Sequence, residues 1–211
     1  MIKTVLFDLD GTLIQTTKII IDTFKITFKK YFPELELSED EYTNFLGHTL
    51  FMTFGYYTDS PEKVDELVKF YRQVSDEMIE QGLESYPGAR ETILYLKKKK
   101  VKVGVVTSKM RHVAMHHLSL VGLDDLIEGI IGYEDVKEHK PSPEPIEKAL
   151  TLFDAKKSQT IYVGDHENDI IAAKKAGILS CAVTYSDRLA HMLSYQPDFV
   201  IDDLENIKDL V

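Results

Sequence analysis

Two carboxylates stand two residues apart where an apolar run ends: Thr4-Val5-Leu6-Phe7 leads into Asp8-Leu9-Asp10-Gly11-Thr12. A short apolar run of this kind reads as a buried strand, so Asp8 would emerge at its carboxyl end and Asp10 could face the same pocket. The plainer alternative is a strand followed by an Asp10-Gly11 turn. Three further segments sit where later strands are expected to end, at the same edge of the predicted sheet. Thr107-Ser108-Lys109 follows Val103-Gly104-Val105-Val106 and offers hydroxyls and backbone N–H groups just before a helix. That is a cradle for phosphate, or else a helix cap. His139-Lys140-Pro141-Ser142-Pro143 presents a cation on a segment stiffened by two prolines, or else a solvated charge. Gly164-Asp165-His166-Glu167-Asn168-Asp169 carries acids suited to a hard, oxygen-seeking cation, or else a turn and a cap.

The elements that would position these groups alternate. Apolar runs at 4–8, 101–107, 129–132, 160–164, 180–183 and 199–201 read as strands. Helical patterns fall at 89–99, 111–121, 143–152 and 168–176, with a last one near 204–210. Near-continuous apolar strands alternating with helices imply an α/β fold, a Rossmann-like parallel sheet with helices on both faces. Ligands of such a sheet bind at the carboxyl ends of the strands. From about residue 15 to 85 the alternation stops and only helix signals remain. Ile20, Phe24 and Phe28 recur at four-residue spacing, Ser38 with Glu41 forms a capping box, and Ser60-Pro61 launches a helix through about Gln81. The expected organisation is therefore core at 1–14, an all-helical cap at 15–85 and the remaining core at 86–211.

The 211 residues are enough for one large domain, or one carrying a smaller insert. A formal charge of −10 disfavours non-specific contact with nucleic acid or an anionic membrane. Cys181 is the lone cysteine, in an apolar run, and reads as a buried structural thiol. The amino-terminal residues are charged too early for a signal peptide, no run approaches the length of a membrane span, and the expected compartment is the cytoplasm. His112 and His116 share a helix face without a third ligand nearby, so they do not read as a zinc site.

Taken together, the four segments resemble the motifs of the haloacid dehalogenase superfamily: DxDGT, a strand-end Thr/Ser, a Lys before Pro, and GDxxxD, in order across nearly the whole chain. The helical insert after the first motif resembles the superfamily's cap. The resemblance implies that Asp8 attacks phosphorus to form an aspartyl-phosphate and that Asp10 serves as general acid and then base. Thr107, Ser108 and Lys140 would hold the phosphoryl oxygens. It implies Mg²⁺ bound by the Asp8 carboxylate, the Asp10 main-chain carbonyl and Asp165. Asp169 would be a further acid, reaching the metal through water or orienting Lys140, and the Lys140-Pro141 bond would be cis. One position departs from the family, since His166 stands where a small hydroxyl residue is usual.

Physical chemistry fits that division. A carboxylate attacking a phosphate dianion brings like charges together, so cations must offset charge on the transferring oxygens. The second acid, Asp10, suits an oxygen leaving group rather than a halide. Length and insert resemble the phosphoglycolate phosphatase and β-phosphoglucomutase branch. Phe45-Leu46-Gly47, Phe70-Tyr71-Arg72-Gln73, the run from Asp135 through Lys140 to Pro145, and Tyr195-Gln196-Pro197-Asp198-Phe199 resemble bacterial pyrophosphatases that act on pyrophosphate released from serine-phosphorylated HPr. The expected activity is inorganic pyrophosphate hydrolysis. Phosphoglycolate phosphatase or another small-molecule phosphomonoesterase is the alternative, followed by a phosphosugar mutase or a non-catalytic phosphate-binding protein. The expected partner is a small phosphorylated substrate, and the expected state a monomer or dimer. Because the core motifs grip only the transferred phosphoryl group, selectivity is expected from the insert, with His48, Thr49 and Arg72 as candidates.

Overall fold

The computed structural model describes residues 1–46 and 48–211; Gly47, part of the Phe45-Leu46-Gly47 sequence singled out above, lies outside the described residues. In chain order the elements are β1 (Thr4–Phe7), α1 (Thr17–Tyr31), α2 (Glu39–Asn44), α3 (Leu50–Gly55), α4 (Pro61–Gly82), α5 (Ala89–Lys98), β2 (Lys102–Val106) and α6 (Arg111–Leu120). There follow β3 (Gly129–Ile131), α7 (Glu144–Leu152), β4 (Thr160–Gly164), α8 (Glu167–Ala176), β5 (Leu179–Val183), α9 (Leu189–Ser194) and β6 (Phe199–Ile201). By their contacts these form two compact units, one of Met1–Gln15 with Glu84–Val211 and one of Thr16–Leu83.

The first unit is built on a six-stranded sheet in the order β3-β2-β1-β4-β5-β6, parallel throughout. β1 is central: Phe7 lies opposite Val105 of β2 and Val163 of β4. Val5, Leu6 and Phe7 are all fully buried, although successive strand residues point to opposite faces, so both faces of the sheet are covered. On one face, Leu6, Val106 and Tyr162 pack against Ile146 and Ala149 of α7 and Ala172 of α8. The connection from β3 to β4 crosses the sheet, so strand order reverses at β1 and β4. The crevice beyond the carboxyl ends of those two strands is where such sheets bind ligands. Asp8 follows β1 there, Thr107 follows β2 beside it, and Asp165 follows β4. The Rossmann-like architecture expected from the apolar runs is the one observed.

One expectation needs correction, and one element was not foreseen. The segment expected as a helix near 204–210 is helical but of the tighter 3-10 form, Leu204–Asp209, with Asp203 accepting from Glu205 N at its start. α9 was not expected, because six residues are too few to display a helical period. The Lys140-Pro141 bond is cis, as the resemblance implied.

The second unit has an aromatic core in which Phe24 and Phe28 of α1 meet Tyr42, Phe45, Phe54 and Tyr71. The Phe24 and Tyr71 rings lie 4.6 Å apart and the Phe28 and Phe45 rings 5.6 Å apart, separations at which rings attract beyond simple burial. Its helix starts follow local chemistry. Ser38 Oγ accepts from Glu41 N at 3.3 Å while Ser38 N donates back to Glu41 at 2.8 Å. Ser60 Oγ accepts from Lys63 N at 3.2 Å, with Pro61 as first helical residue.

Candidate active site

Asp8 is 6% exposed at the end of β1. Lys140 Nζ donates to Asp8 Oδ1 at 2.5 Å, to Asp169 Oδ1 at 2.7 Å and to Tyr162 OH at 3.1 Å. All three ammonium donors are thereby directed. Burial opposes the charge on Lys140, but Asp169 and Asp8 outweigh it and hold the ammonium well above its usual range. Its loop is shaped by Glu144 at the start of α7, whose carboxylate accepts from Lys137 N at 3.1 Å and Glu138 N at 2.8 Å. Tyr162 in turn donates to the Val106 carbonyl at 2.7 Å.

Asp165 leaves β4 beside the first motif. Thr12 Oγ1 donates to Asp165 Oδ1 at 3.2 Å. Gly11 has φ +77°, and a Cβ there would collide with the Asp165 carboxylate. The DxDGT glycine thus serves both a left-handed turn and a close approach. Asp169 has two tasks at once. Its Oδ1 takes Lys140, and its Oδ2 accepts from His166 N at 3.1 Å, capping α8. Of the two roles expected for Asp169, contact with Lys140 is the one seen. His166 Nδ1 accepts from Asn168 N at 3.1 Å, so this imidazole performs the capping work of a small hydroxyl residue. Burial keeps it below the usual histidine range.

Asp10 is only partly buried and pairs with a cation not singled out in the sequence. Lys109 Nζ donates to Asp10 Oδ1 at 2.8 Å and lies 3.2 Å from Nδ1 of the buried His117. An ammonium cannot accept a hydrogen bond, so His117 must present an unprotonated Nδ1 to it. The only sequence signal was the lysine's place two residues after Thr107, and nothing pointed to His117. Thr107 is buried and its Oγ1 accepts from Lys109 N at 3.1 Å. It does not cap α6, whose N-cap is Met110. Ser108 is exposed.

Within the helical unit, Thr49 is the N-cap of α3 and accepts from Met52 N at 3.2 Å. His48 precedes it, exposed, and Arg72 is exposed on α4. Cys181 is buried, and burial pushes its thiol up to about 12, which makes it inert as a nucleophile.

Carboxylate oxygens of Asp8, Asp165 and Asp169 all lie within 4.8 Å of one another. Burial, then Asp8 and Asp169, push Asp165 well above the usual carboxylate range. Burial likewise raises Asp8 from 3.8 to about 7, despite the opposing pull of Lys140. Three crowded acids facing one ammonium are short of positive charge, and an all-oxygen donor set suits a hard divalent cation. The residues fit a metal. The sign of the pH effect follows: between 3.8 and about 7 native Asp8 binds more protons than in the unfolded chain, so its contribution to metal-free stability falls as pH rises. A divalent cation at about a hundred times its dissociation constant is therefore expected to raise the melting temperature at pH 8 by about 5–10 °C, and by less at pH 5. A melting temperature indifferent to the cation at both pH values would exclude a metal site on these acids.

The family model of haloacid dehalogenase-like hydrolases matches residues 5–183. The chain belongs to that family. A protein of Bacillus cereus (strain Q1) named pyrophosphatase PpaX is 38% identical over 207 residues, which are 98% of this chain and 94% of that protein. The pyrophosphatase PpaX of Halalkalibacterium halodurans is 38% identical over 211 residues, 100% of this chain and 97% of its own. Among solved structures, a Bacteroides fragilis protein assigned to the haloacid dehalogenase-like hydrolases superposes with a TM-score of 0.87 at 25% identity, spanning 98% of this chain and 100% of that one. No helix among the described residues is long and apolar enough to cross a membrane.

Proposed function

We propose that this chain is a Mg²⁺-dependent phosphohydrolase whose substrate is inorganic pyrophosphate and whose nucleophile is Asp8. The observation that carries the reading is the Lys140 ammonium, 2.5 Å from Asp8 and 2.7 Å from Asp169, at the switch point of the sheet with Asp165 beside it. The choice of pyrophosphate is supported by the relatives named pyrophosphatase, 38% identical over nearly the whole chain.

In this reading Asp8 attacks the phosphorus of one phosphoryl group, the bond to the bridging oxygen breaks, and an aspartyl-phosphate forms. Asp10 delivers a proton to the leaving phosphate and then removes one from the water that attacks phosphorus, which releases the second phosphate and restores Asp8. Lys140, the Thr107 hydroxyl and the backbone N–H groups around Ser108 hold the transferring oxygens. The carboxylates of Asp8 and Asp165, with the main-chain carbonyl of Asp10, would hold the metal. Bound there, Mg²⁺ would supply positive charge to the transferring group and relieve the repulsion between nucleophile and phosphate.

Phosphate release measured with Mg²⁺ over pyrophosphate, phosphoglycolate, sugar phosphates and nucleotides is expected to give the highest kcat/KM for pyrophosphate. A higher value for any phosphomonoester would overturn the choice of substrate while leaving the class intact. Asp10→Asn is expected to lower kcat for poor leaving groups about a hundred- to ten-thousandfold and to affect an activated aryl phosphate much less. Equal losses on both would remove Asp10 from the proton-transfer step.

A further inference from the structure

The turn after β5, residues 185–188, touches both loops that carry the proposed metal ligands. Tyr185 OH donates to the Thr12 carbonyl at 2.8 Å, and its ring stacks on Tyr86 with centroids 4.2 Å apart. Ser186 Oγ donates to the main-chain carbonyl of Asp165 at 2.5 Å and accepts from Arg188 N at 2.9 Å. The Arg188 guanidinium grips Glu167 with two bonds, Nε to Oε2 at 2.7 Å and Nη2 to Oε1. Thr12 Oγ1 closes the circuit on Asp165 Oδ1 at 3.2 Å.

The hydrogen bonds thus form a ring: turn to Thr12 carbonyl, Thr12 hydroxyl to Asp165 carboxylate, Asp165 carbonyl back to the turn. Asp165 is fixed at its main chain from one side and at its carboxylate from the other. With Oδ1 engaged by Thr12, rotation of the carboxylate costs a hydrogen bond. The bidentate Arg188–Glu167 pair, both side chains about 15% exposed, anchors the first residue of α8, two residues further on. A planar fork holds direction as well as charge.

We infer that Ser186 and Arg188 are positioning residues for the metal ligand Asp165, setting the affinity of the site for its divalent cation without contacting substrate. This inference rests on the proposed metal site. Outer contacts that orient a metal-binding carboxylate are typically worth ten- to hundredfold in affinity. Binding of Mn²⁺ to the full-length, substrate-free protein, followed by calorimetry or by paramagnetic resonance of the free ion, tests it.

Ser186→Ala is expected to weaken Mn²⁺ binding about tenfold, and Ser186→Ala with Arg188→Gln up to about a hundredfold. Ser186→Thr, which keeps the hydroxyl, should stay within about threefold of the parent protein. At saturating metal, KM for pyrophosphate should be unchanged in all three, which a general loosening of the fold would not produce. Arg188→Gln alone, breaking the brace at its other end, should also weaken Mn²⁺ binding. Unaltered Mn²⁺ affinity in both Ser186→Ala and Arg188→Gln, with binding by the parent abolished in Asp165→Asn, would overturn the positioning role alone. A parent protein that binds no Mn²⁺ would overturn the metal site itself, and the inference with it.

Discussion

Asp8→Asn is expected to lower kcat for pyrophosphate by about ten-thousandfold or more while the protein still folds. The amide is nearly isosteric with the carboxylate, so packing around a residue that is 6% exposed is preserved. It is a poor nucleophile and a weak ligand for a hard cation, and removal of a covalent nucleophile typically costs several orders of magnitude. The variant should also lose one buried acid from a crowded cluster. Its metal-free form is therefore expected to be at least as stable as the parent at pH 8, where native Asp8, raised to about 7, is largely ionised. Activity within tenfold of the parent, measured by phosphate release under saturating metal, would remove Asp8 from the nucleophile's role.

Lys140→Met should be costly in two measurable ways. Its ammonium is the shared partner of Asp8 and Asp169, with side chains 8%, 8% and 1% exposed. Breaking a buried pair by deleting one member typically destabilises by about 3–5 kcal/mol, because the remaining charges keep their desolvation cost without compensation. A solvated lysine, the alternative left open by the sequence, would cost about 1 kcal/mol or less. Urea unfolding of the metal-free protein separates the two. The deficit should shrink at low pH, where protonation neutralises the stranded carboxyls, and shrink again when a divalent cation is added. Turnover should fall by at least a hundred- to thousandfold, the usual effect of losing a positioned charge on transferring oxygens. A loss near 1 kcal/mol with turnover intact would mean that Lys140 does neither job.

The core could be read from the chain because its determinants are local. A parallel strand covered on both faces is an unbroken apolar run, and β1 and β4 are such runs, each delivering its acid at the carboxyl end. Capping chemistry is equally local, so Ser38 with Glu41 and Ser60 with Pro61 marked the starts of α2 and α4 where they occur. What escaped was long-range. Lys109 meets Asp10 across 99 residues and Tyr185 meets Thr12 across 173, and no periodicity encodes either pairing. His166 escaped for another reason: its bond from Asn168 N is local, but an imidazole is not among the usual capping side chains. The family resemblance left Asp169 between two roles, and only the distance to Lys140 shows what it holds in this structure.

Covalent capture tests the central claim most directly. The protein is mixed with radiolabelled pyrophosphate and Mg²⁺, quenched in acid during turnover, and digested for peptide mapping. The account predicts an acid-stable, base-labile phosphate on the peptide containing Asp8, reducible by borohydride to homoserine at that position and absent from Asp8→Asn. Rapid product formation with no label on the protein at any quench time, or label on a residue other than Asp8, would contradict it.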